Sequence, residues 1–401
     1  MKILYTTPIL EHPAAGGPQL RIENSIKALS KICDLHILHQ AYCFSDTVNV
    51  TDAYFRQFSE SYHTVYRYPT NRLLRLAYRV IRKLSGSESN RTAYQVIKLI
   101  KRNKIEIVWF GYGNISYSLI SSVKKALPGV KVVCDTDSVW SRFVLREMPY
   151  AEGARQEKIA REGALKEAEE RAWVNLCEVT TAVSEVDAQY YRSIATEPAR
   201  IKLFSNGIDL HNYAVTPIQP PSLKKPCIFL AGSFGPNSAM NVAANWVLDE
   251  VLPLVHQRYP ELHFYIVGRN SDREFNHRTN VNITVTGILE SVLPYLCHAD
   301  IALVPLKFES GTRFKILEAG ACRVPLVSTT LGAEGIPVVH DRDILIADEP
   351  ADFAEAILRL LDDPKLGRLL AENCYQLVAT KYSVEALVSE AEAILEYLSN
   401  D

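Results

Sequence analysis

The sequence predicts an α/β protein made of two doubly wound domains, each with a parallel sheet. Three observations lead there. At 401 residues, 47% hydrophobic and 22% charged, the chain is ordinary in composition but too long for one compact core, and it suits two domains of similar size. Short apolar runs alternate with stretches of helical periodicity along nearly the whole length, the pattern of repeated β–α units. Midway, residues 215–226 read VTPIQPPSLKKP, with four prolines and no aliphatic periodicity, which marks a hinge between domains. The expected division is an N-terminal domain at 1–214, the hinge at 215–226, a second domain at 227–380 and a closing helix at 381–401.

In the first half, residues 2–7 form the first strand. A loop with the diglycine Gly16-Gly17 and a helix over 19–31 follow, with Arg21 in the first turn of that helix. A second strand is expected at 34–39. Residues 67–104 are strongly basic, with Glu88 as the one acid, and Leu73, Leu76, Ala77, Val80, Ile81 and Leu84 recur at helical spacing. Such a helix either packs its leucine stripe on its own domain or meets an anionic surface, so peripheral membrane contact through 67–104 is one expectation. Strands at 105–110, 131–135, 179–184 and 201–204 complete the domain, with a charged helix over 152–174. Asn206-Gly207 is a turn that takes positive φ.

In the second half, a strand at 227–231 runs into Gly232-Ser233, and a helix is expected over 238–256. Strands at 263–267 and 283–286 end in Gly268-Arg269 and Gly287-Ile288. A short helix at 291–298 leads to a buried strand at 301–306. After a loop and a helix come strands at 325–328 and 344–347, then helices at 351–361, 366–380 and 384–398.

The loop after residue 306 holds the most chemistry. Ser310-Gly311-Thr312 is a small polar turn between a strand's carboxyl end and a helix, where ligands of open α/β sheets bind. Unpaired backbone N–H groups at a helix start attract anions. Arg313 and Lys315 put two cations in that first turn, where they oppose the helix dipole unless an anion is bound. Glu318 lies too far along to cap the helix and suits hydrogen bonds from sugar or ribose hydroxyls. On the bland alternative this is a surface helix with solvated cations.

Other features exclude function classes. A net charge of −2 gives no general attraction to nucleic acid. The eight cysteines show no Cys-x-x-Cys pair or Cys/His cluster and read as reduced thiols of a cytoplasmic protein. No run approaches the ~20 apolar residues of a spanning helix, and the first residues read as a strand and not a signal peptide. Cys134-Asp135-Thr136-Asp137 follows a strand; its Asp-x-Asp pair is a weak metal motif, and either aspartate equally serves as a helix cap.

The run KILEAGACRVPLVST from Lys315, followed by LGAEGI, resembles the donor-binding motif of the retaining GT-B glycosyltransferases, the glycosyl transferases group 1 family (family 4). The likeness is closest to a glycine-threonine-arginine-x-lysine branch. It implies two Rossmann-like domains facing across a cleft, with C-terminal helices crossing back to the first domain. It places Glu318 on the glutamate that holds the nucleotide ribose. The family's first glutamate, which meets donor-sugar hydroxyls, falls on Ser310, one residue past Glu309. Gly16 and Gly17 match the glycine-rich first loop near the donor phosphate. Gly232 and Ser233 match the diphosphate loop but without its usual arginine and lysine, so Arg313 and Lys315 take over that charge. Gly287, Ile288 and Leu289 meet the nucleobase edge. Asp137 aligns with an acceptor-side histidine, and Asp135 lies beside it.

The resemblance implies a nucleotide-diphospho-sugar donor, UDP- or GDP-linked, with no tightly bound cofactor and no metal. It implies retaining transfer to a glycan, lipid-linked or other small acceptor, in the cytoplasm or at the inner membrane face. The alternatives are a non-catalytic partner protein that binds nucleotide-sugar, or a sugar-nucleotide epimerase of the same architecture.

Overall fold

The computed structural model describes residues 1–14, 16–69, 71–77, 90–309 and 313–400. The chain divides into two compact units. The first comprises Met1–Ser141, Glu157–Gly207 and Val384–Asp401, and the second comprises Arg142–Gln156 and Ile208–Ser383.

The first unit holds β1 (Lys2–Thr7), β2 (Asp34–His39), β3 (Ser61–Thr64), β4 (Ile107–Gly111), β5 (Lys131–Asp135), β6 (Val179–Ala182) and β7 (Ile201–Leu203). They form one sheet in the order β3-β2-β1-β4-β5-β6-β7, parallel at every pairing. The central strands are continuous apolar runs buried from end to end, as in Ile107–Gly111, because helices cover both faces. β3 is not among the expected strands: only Tyr62 of its four residues is buried, so an edge strand of this kind carries almost no apolar signal. The Asp46–Phe55 helix is also unexpected. It buries only Thr51 and Phe55, and Ser45 caps it by accepting from the Val48 amide.

The second unit holds β8 (Cys227–Ala231), β9 (His263–Val267), β10 (Ile283–Gly287), β11 (Ile301–Val304), β12 (Leu326–Ser328) and β13 (Leu345–Ile346). Their order is β10-β9-β8-β11-β12-β13, again all parallel. Numbered within each unit, both sheets contain the order 3-2-1-4-5-6 of the dinucleotide-binding doubly wound fold. The helix expected over 238–256 is interrupted by a π segment, Val247–Val251. Pro253 lies two residues beyond it; it lacks an N–H, and a wider turn absorbs the break in the ladder.

Of the two alternatives for the basic stretch, packing of the leucine stripe is not seen in its described part. Leu73, Leu74 and Leu76 are 78%, 60% and 56% exposed, so the described part of the leucine stripe does not pack on its domain. Val80, Ile81 and Leu84 lie outside the described residues. The later Asn90–Asn103 helix does pack, burying Val96, Leu99 and Ile100 in the first unit's core. Among the described residues, no helix is long and apolar enough to cross a membrane.

The first unit is tied together by a buried charge. That charge is Arg21, in the Gly17–Leu29 helix after β1. It is 2% exposed and ion-pairs with Asp135. It also donates to the carbonyls of Phe204 and Ser205 at 3.0 and 3.1 Å and to Asn206 Oδ1 at 2.9 Å. Asn24, one turn on, donates to the Gly207 carbonyl at 2.9 Å. The helix after β1 thus holds the Asn206-Gly207 turn. The Val384–Asn400 helix closes the same core with Leu387, Ala391, Ile394 and Leu398, and its Glu390 accepts from Ser205 N and Oγ at 2.6 and 2.8 Å.

Removing one partner of a buried ion pair strands the other charge, a loss of roughly 3–5 kcal/mol. Arg21→Met is therefore expected to lower the urea midpoint strongly, and Arg21→Met combined with Asp135→Leu to recover much of the loss. Equal midpoints for the single and double variants would show that the pair is not coupled.

Candidate active site

In the second unit the carboxyl ends of β8, β9 and β10 form a glycine floor. The Gly232 amide donates to the Val267 carbonyl at 2.9 Å, and the Gly268 amide to the Gly287 carbonyl at 3.0 Å. Gly268 takes φ +125°, and a Cβ there would lie 2.1 Å from the Gly232 carbonyl oxygen. Gly287 takes φ +70° and donates to Ser271 Oγ at 3.0 Å. Only glycine combines these dihedrals with so close a packing of backbone on backbone. Ser233 is exposed beyond the floor. Ile288 is 69% exposed, and Leu289 beside it is half-buried.

Next to this floor the sheet order reverses. Strands β8 and β11 are neighbours, but the chain leaves them in opposite directions, toward β9 and toward β12. A crevice must open above such a pair. A recess of about 20 Å³ lies against one face of this pair, lined by Phe229 and Ala231 of β8, Ala302 and Val304 of β11, Leu296, and Lys315 and Glu318. Its size is that of a water molecule or two, so it is the foot of a site and not a chamber for a whole ligand.

The Phe314–Ala321 helix sets these two side chains. Three residues apart, Lys315 and Glu318 share a face, while Phe314, Ile316, Leu317 and Ala319 are buried. Glu318 accepts a hydrogen bond from Tyr213 Oη at 3.2 Å. Burial raises its carboxyl pKa, against the lowering effects of Lys315 and Tyr213. Arg313 is the N-cap residue of the helix and only 5% exposed, with its Nε 3.4 Å from Glu309. Lys315 therefore reaches the recess, whereas Arg313 is folded beside the loop next to Glu309. Ser310, Gly311 and Thr312 lie outside the described residues.

Sequence reasoning missed what braces this loop. Arg146 donates to both carboxylate oxygens of Glu334, at 2.6 and 2.8 Å, and to the Glu309 carbonyl at 2.8 Å. Tyr150 donates to the Lys307 carbonyl at 3.1 Å, and its ring lies against Phe308. The expected boundary puts both residues in the first domain, but Arg142–Gln156 belongs to the second unit. Nothing local in the sequence signals that excursion. Arg269 escapes notice for a different reason: it follows β9, is exposed, and adds a cation at the carboxyl edge of the sheet without any run of charge to mark it.

The two aspartates of the first unit have separate fates. Asp135 is fully buried, pairs with Arg21 and accepts from Thr181 Oγ1 at 2.7 Å. Its charge is thus engaged within the first unit, whereas the family resemblance sets it beside Asp137 on the acceptor side. Asp137 is half-buried and accepts from Asn114 Nδ2 at 2.7 Å and Trp140 Nε1 at 3.0 Å. Its pKa is raised by burial despite these two bonds. With Asp135 bound to Arg21, the pair does not form a metal-chelating Asp-x-Asp. Gly16 is the N-cap residue of the Gly17–Leu29 helix, in extended backbone, so the diglycine opens that helix after the β1 loop.

Residues 225–363 match the model of the family described as "Glycosyl transferases group 1". The chain is 29% identical over 164 residues to one subunit of the human phosphatidylinositol N-acetylglucosaminyltransferase, covering 38% of this chain and 33% of that protein. It is 33% identical over 132 residues to the D-inositol 3-phosphate glycosyltransferase of Pseudarthrobacter chlorophenolicus, covering 29% and 31%. The chain thus spans about a third of the length of these two relatives. Solved structures align over nearly its whole length. Anabaena HepE in complex with UDP and glucose superposes with a TM-score of 0.67 at 13% identity, covering 99% of both chains. The sucrose-phosphate synthase of Thermosynechococcus elongatus gives 0.70 at 14%, covering 100% of both.

The fold is that of the GT-B glycosyltransferases. Two Rossmann-like units define it, and the recess at β8 and β11 lies inside the matched segment.

A carboxyl group whose pKa is raised by folding binds its proton more tightly in the folded than in the unfolded state. Its contribution to stability is present below the unfolded pKa and is lost as pH rises through the folded one. Glu318→Gln should therefore gain melting temperature relative to wild type as pH rises from about 4 to about 7. Parallel melting curves for the two proteins across that range would contradict the burial of this charge.

Proposed function

We propose that this protein is a glycosyltransferase that binds a nucleotide-diphospho-sugar at the β8/β11 crevice and transfers the sugar with retention of anomeric configuration. The observation that carries the reading is the placement of Lys315 and Glu318 in the recess where the sheet order reverses.

Breaking the bond between an anomeric carbon and a diphosphate builds negative charge on the leaving group while the sugar becomes oxocarbenium-like. Fixed positive potential at the leaving oxygens lowers that barrier. The Lys315 ammonium and the N–H groups at the start of the Phe314–Ala321 helix supply it, and Arg313 at the same helix start adds charge behind them. Glu309 meets the sugar hydroxyls; Ser310, Gly311 and Thr312, assigned to the donor by the family resemblance, lie outside the described residues. Glu318 accepts from ribose hydroxyls, positioned by Tyr213. The glycine floor with Ser233 receives the diphosphate closely, and the exposed Ile288 with Leu289 offers an apolar edge to the base. A UDP- or GDP-sugar fits this set. UDP and UDP-glucose are the ligands of the structurally similar HepE, which supports the uridine form.

Asp137 serves the acceptor. A carboxyl held by two neutral donors, with its pKa lifted by burial, is suited to take a hydrogen bond or proton from an incoming hydroxyl. The acceptor class is a glycan, a lipid-linked sugar or another small polyol. Exposed Leu73, Leu74 and Leu76, among the arginines of the 67–104 stretch, support contact with an anionic membrane face on the cytoplasmic side.

A thermal-shift panel of nucleotide-sugars, followed by product analysis with mixed acceptors, tests the reading. A hydrogen bond to a charged group contributes about 1.5–3 kcal/mol. Lys315→Met should therefore weaken nucleoside diphosphate binding by roughly 10- to 150-fold. Glu318→Ala should weaken the nucleotide but leave inorganic pyrophosphate unaffected. Wild-type affinity and turnover in Lys315→Met would overturn the assignment.

A further inference from the structure

A second cavity, of about 310 Å³, lies in the same unit and is lined by Leu210, His211, Tyr213, Arg323, Tyr375 and two cysteines, Cys297 and Cys322, among others. The cysteine sulfurs are 3.5 Å apart, and both thiols are free and partly exposed. Each sits at the end of a helix that lines the β8/β11 recess. Cys297 caps Leu293–Leu296, whose Leu296 reaches the recess. Cys322 caps Phe314–Ala321, and its amide donates to the Glu318 carbonyl. Tyr213 joins the two cavities, since it lines the second and bonds to Glu318.

The other thiols are placed differently. Cys134 and Cys177 also approach one another, but both are completely buried in the first unit. Burial pushes the Cys33 and Cys227 thiols up to about 12, out of the reactive range. We infer that Cys297 and Cys322 form a reversible redox clamp: oxidation joins them in an intramolecular disulfide that fixes the end of the helix carrying Lys315 and Glu318.

The chemistry balances with a low-molecular-weight disulfide such as oxidised glutathione. The Cys297 thiolate attacks one sulfur of that disulfide and expels a glutathione thiolate, leaving a mixed disulfide. Cys322 loses its proton and attacks Cys297 Sγ, expelling the second glutathione. Two cysteine thiols lose two electrons, and one glutathione disulfide becomes two thiols. In the reduced pair Cys297 Sγ donates to Cys322 Sγ; the exchange balances identically if Cys322 attacks first. Closing the sulfurs from 3.5 Å to the bonded distance of about 2.05 Å draws the two helix ends together beside the recess.

The test uses the full chain in glutathione redox buffers, quenched with iodoacetamide and read by peptide mapping and amide hydrogen exchange. The expected result is a linked 297–322 peptide, a mass loss of about 2 Da that dithiothreitol reverses, and slower exchange over 314–321 in the oxidised form. Cys297→Ser and Cys322→Ser should each abolish the linkage. Persistent alkylation of both cysteines, a glutathione adduct as the end product, or a linkage that leaves exchange over 314–321 unchanged would each overturn the inference. None of these readouts depends on which nucleotide, if any, the recess binds.

Discussion

The structure depends on a reversal of direction in the second sheet. β8 and β11 run side by side, but right-handed crossovers carry one chain toward β9 and the other toward β12. The two connecting helices must then lie on opposite faces, and the backbone ends above the pair cannot be covered by either. Every feature of the candidate site follows from that gap. Small residues line its β8 side because connecting backbone crosses there closely. A charged helix starts on its β11 side because the chain must turn at once to cover the sheet.

Much of this is readable in the sequence, and for a physical reason. Strands buried on both faces must be continuous apolar runs, so β1, β2, β5, β8 and β9 can be bounded to the residue. The edge strand Ser61–Thr64 has no such constraint and leaves no trace. The site is readable in part. Glycine, cations and an acid in one loop and one helix turn announce their chemistry locally. The bracing by Arg146 and Tyr150 is made across more than 150 residues of chain, by side chains that any solvated helix could carry.

Arg21 and Asp135 illustrate the opposite error. Both sit near the carboxyl end of the sheet, one in the helix after β1 and one at the end of β5, and both carry a charge. Sequence position cannot reveal that they neutralise one another. The first unit has the same order reversal between β1 and β4, yet it uses these charges to hold its own Asn206-Gly207 turn.

What separates structural charge from available charge is therefore a directly bonded opposite charge, together with burial. Arg21 makes an ion pair and three further hydrogen bonds with almost no solvent access, so displacing any partner leaves a buried donor unmet. Lys315 and Glu318 lie on an open recess, and Glu318 has one neutral donor from Tyr213. A carboxylate can accept about four hydrogen bonds, which leaves this one with capacity toward an incoming hydroxyl. Asp137 has the same character, held by the neutral donors of Asn114 and Trp140 and not by a bonded cation. Burial raises the pKa of three acids, Asp137, Glu318 and Glu390. Glu390 is engaged by the Ser205 amide and hydroxyl. Asp137 just after β5 and Glu318 beside the β8/β11 recess keep accepting capacity, and Asp135, at the end of the strand that leads to Asp137, is committed to Arg21.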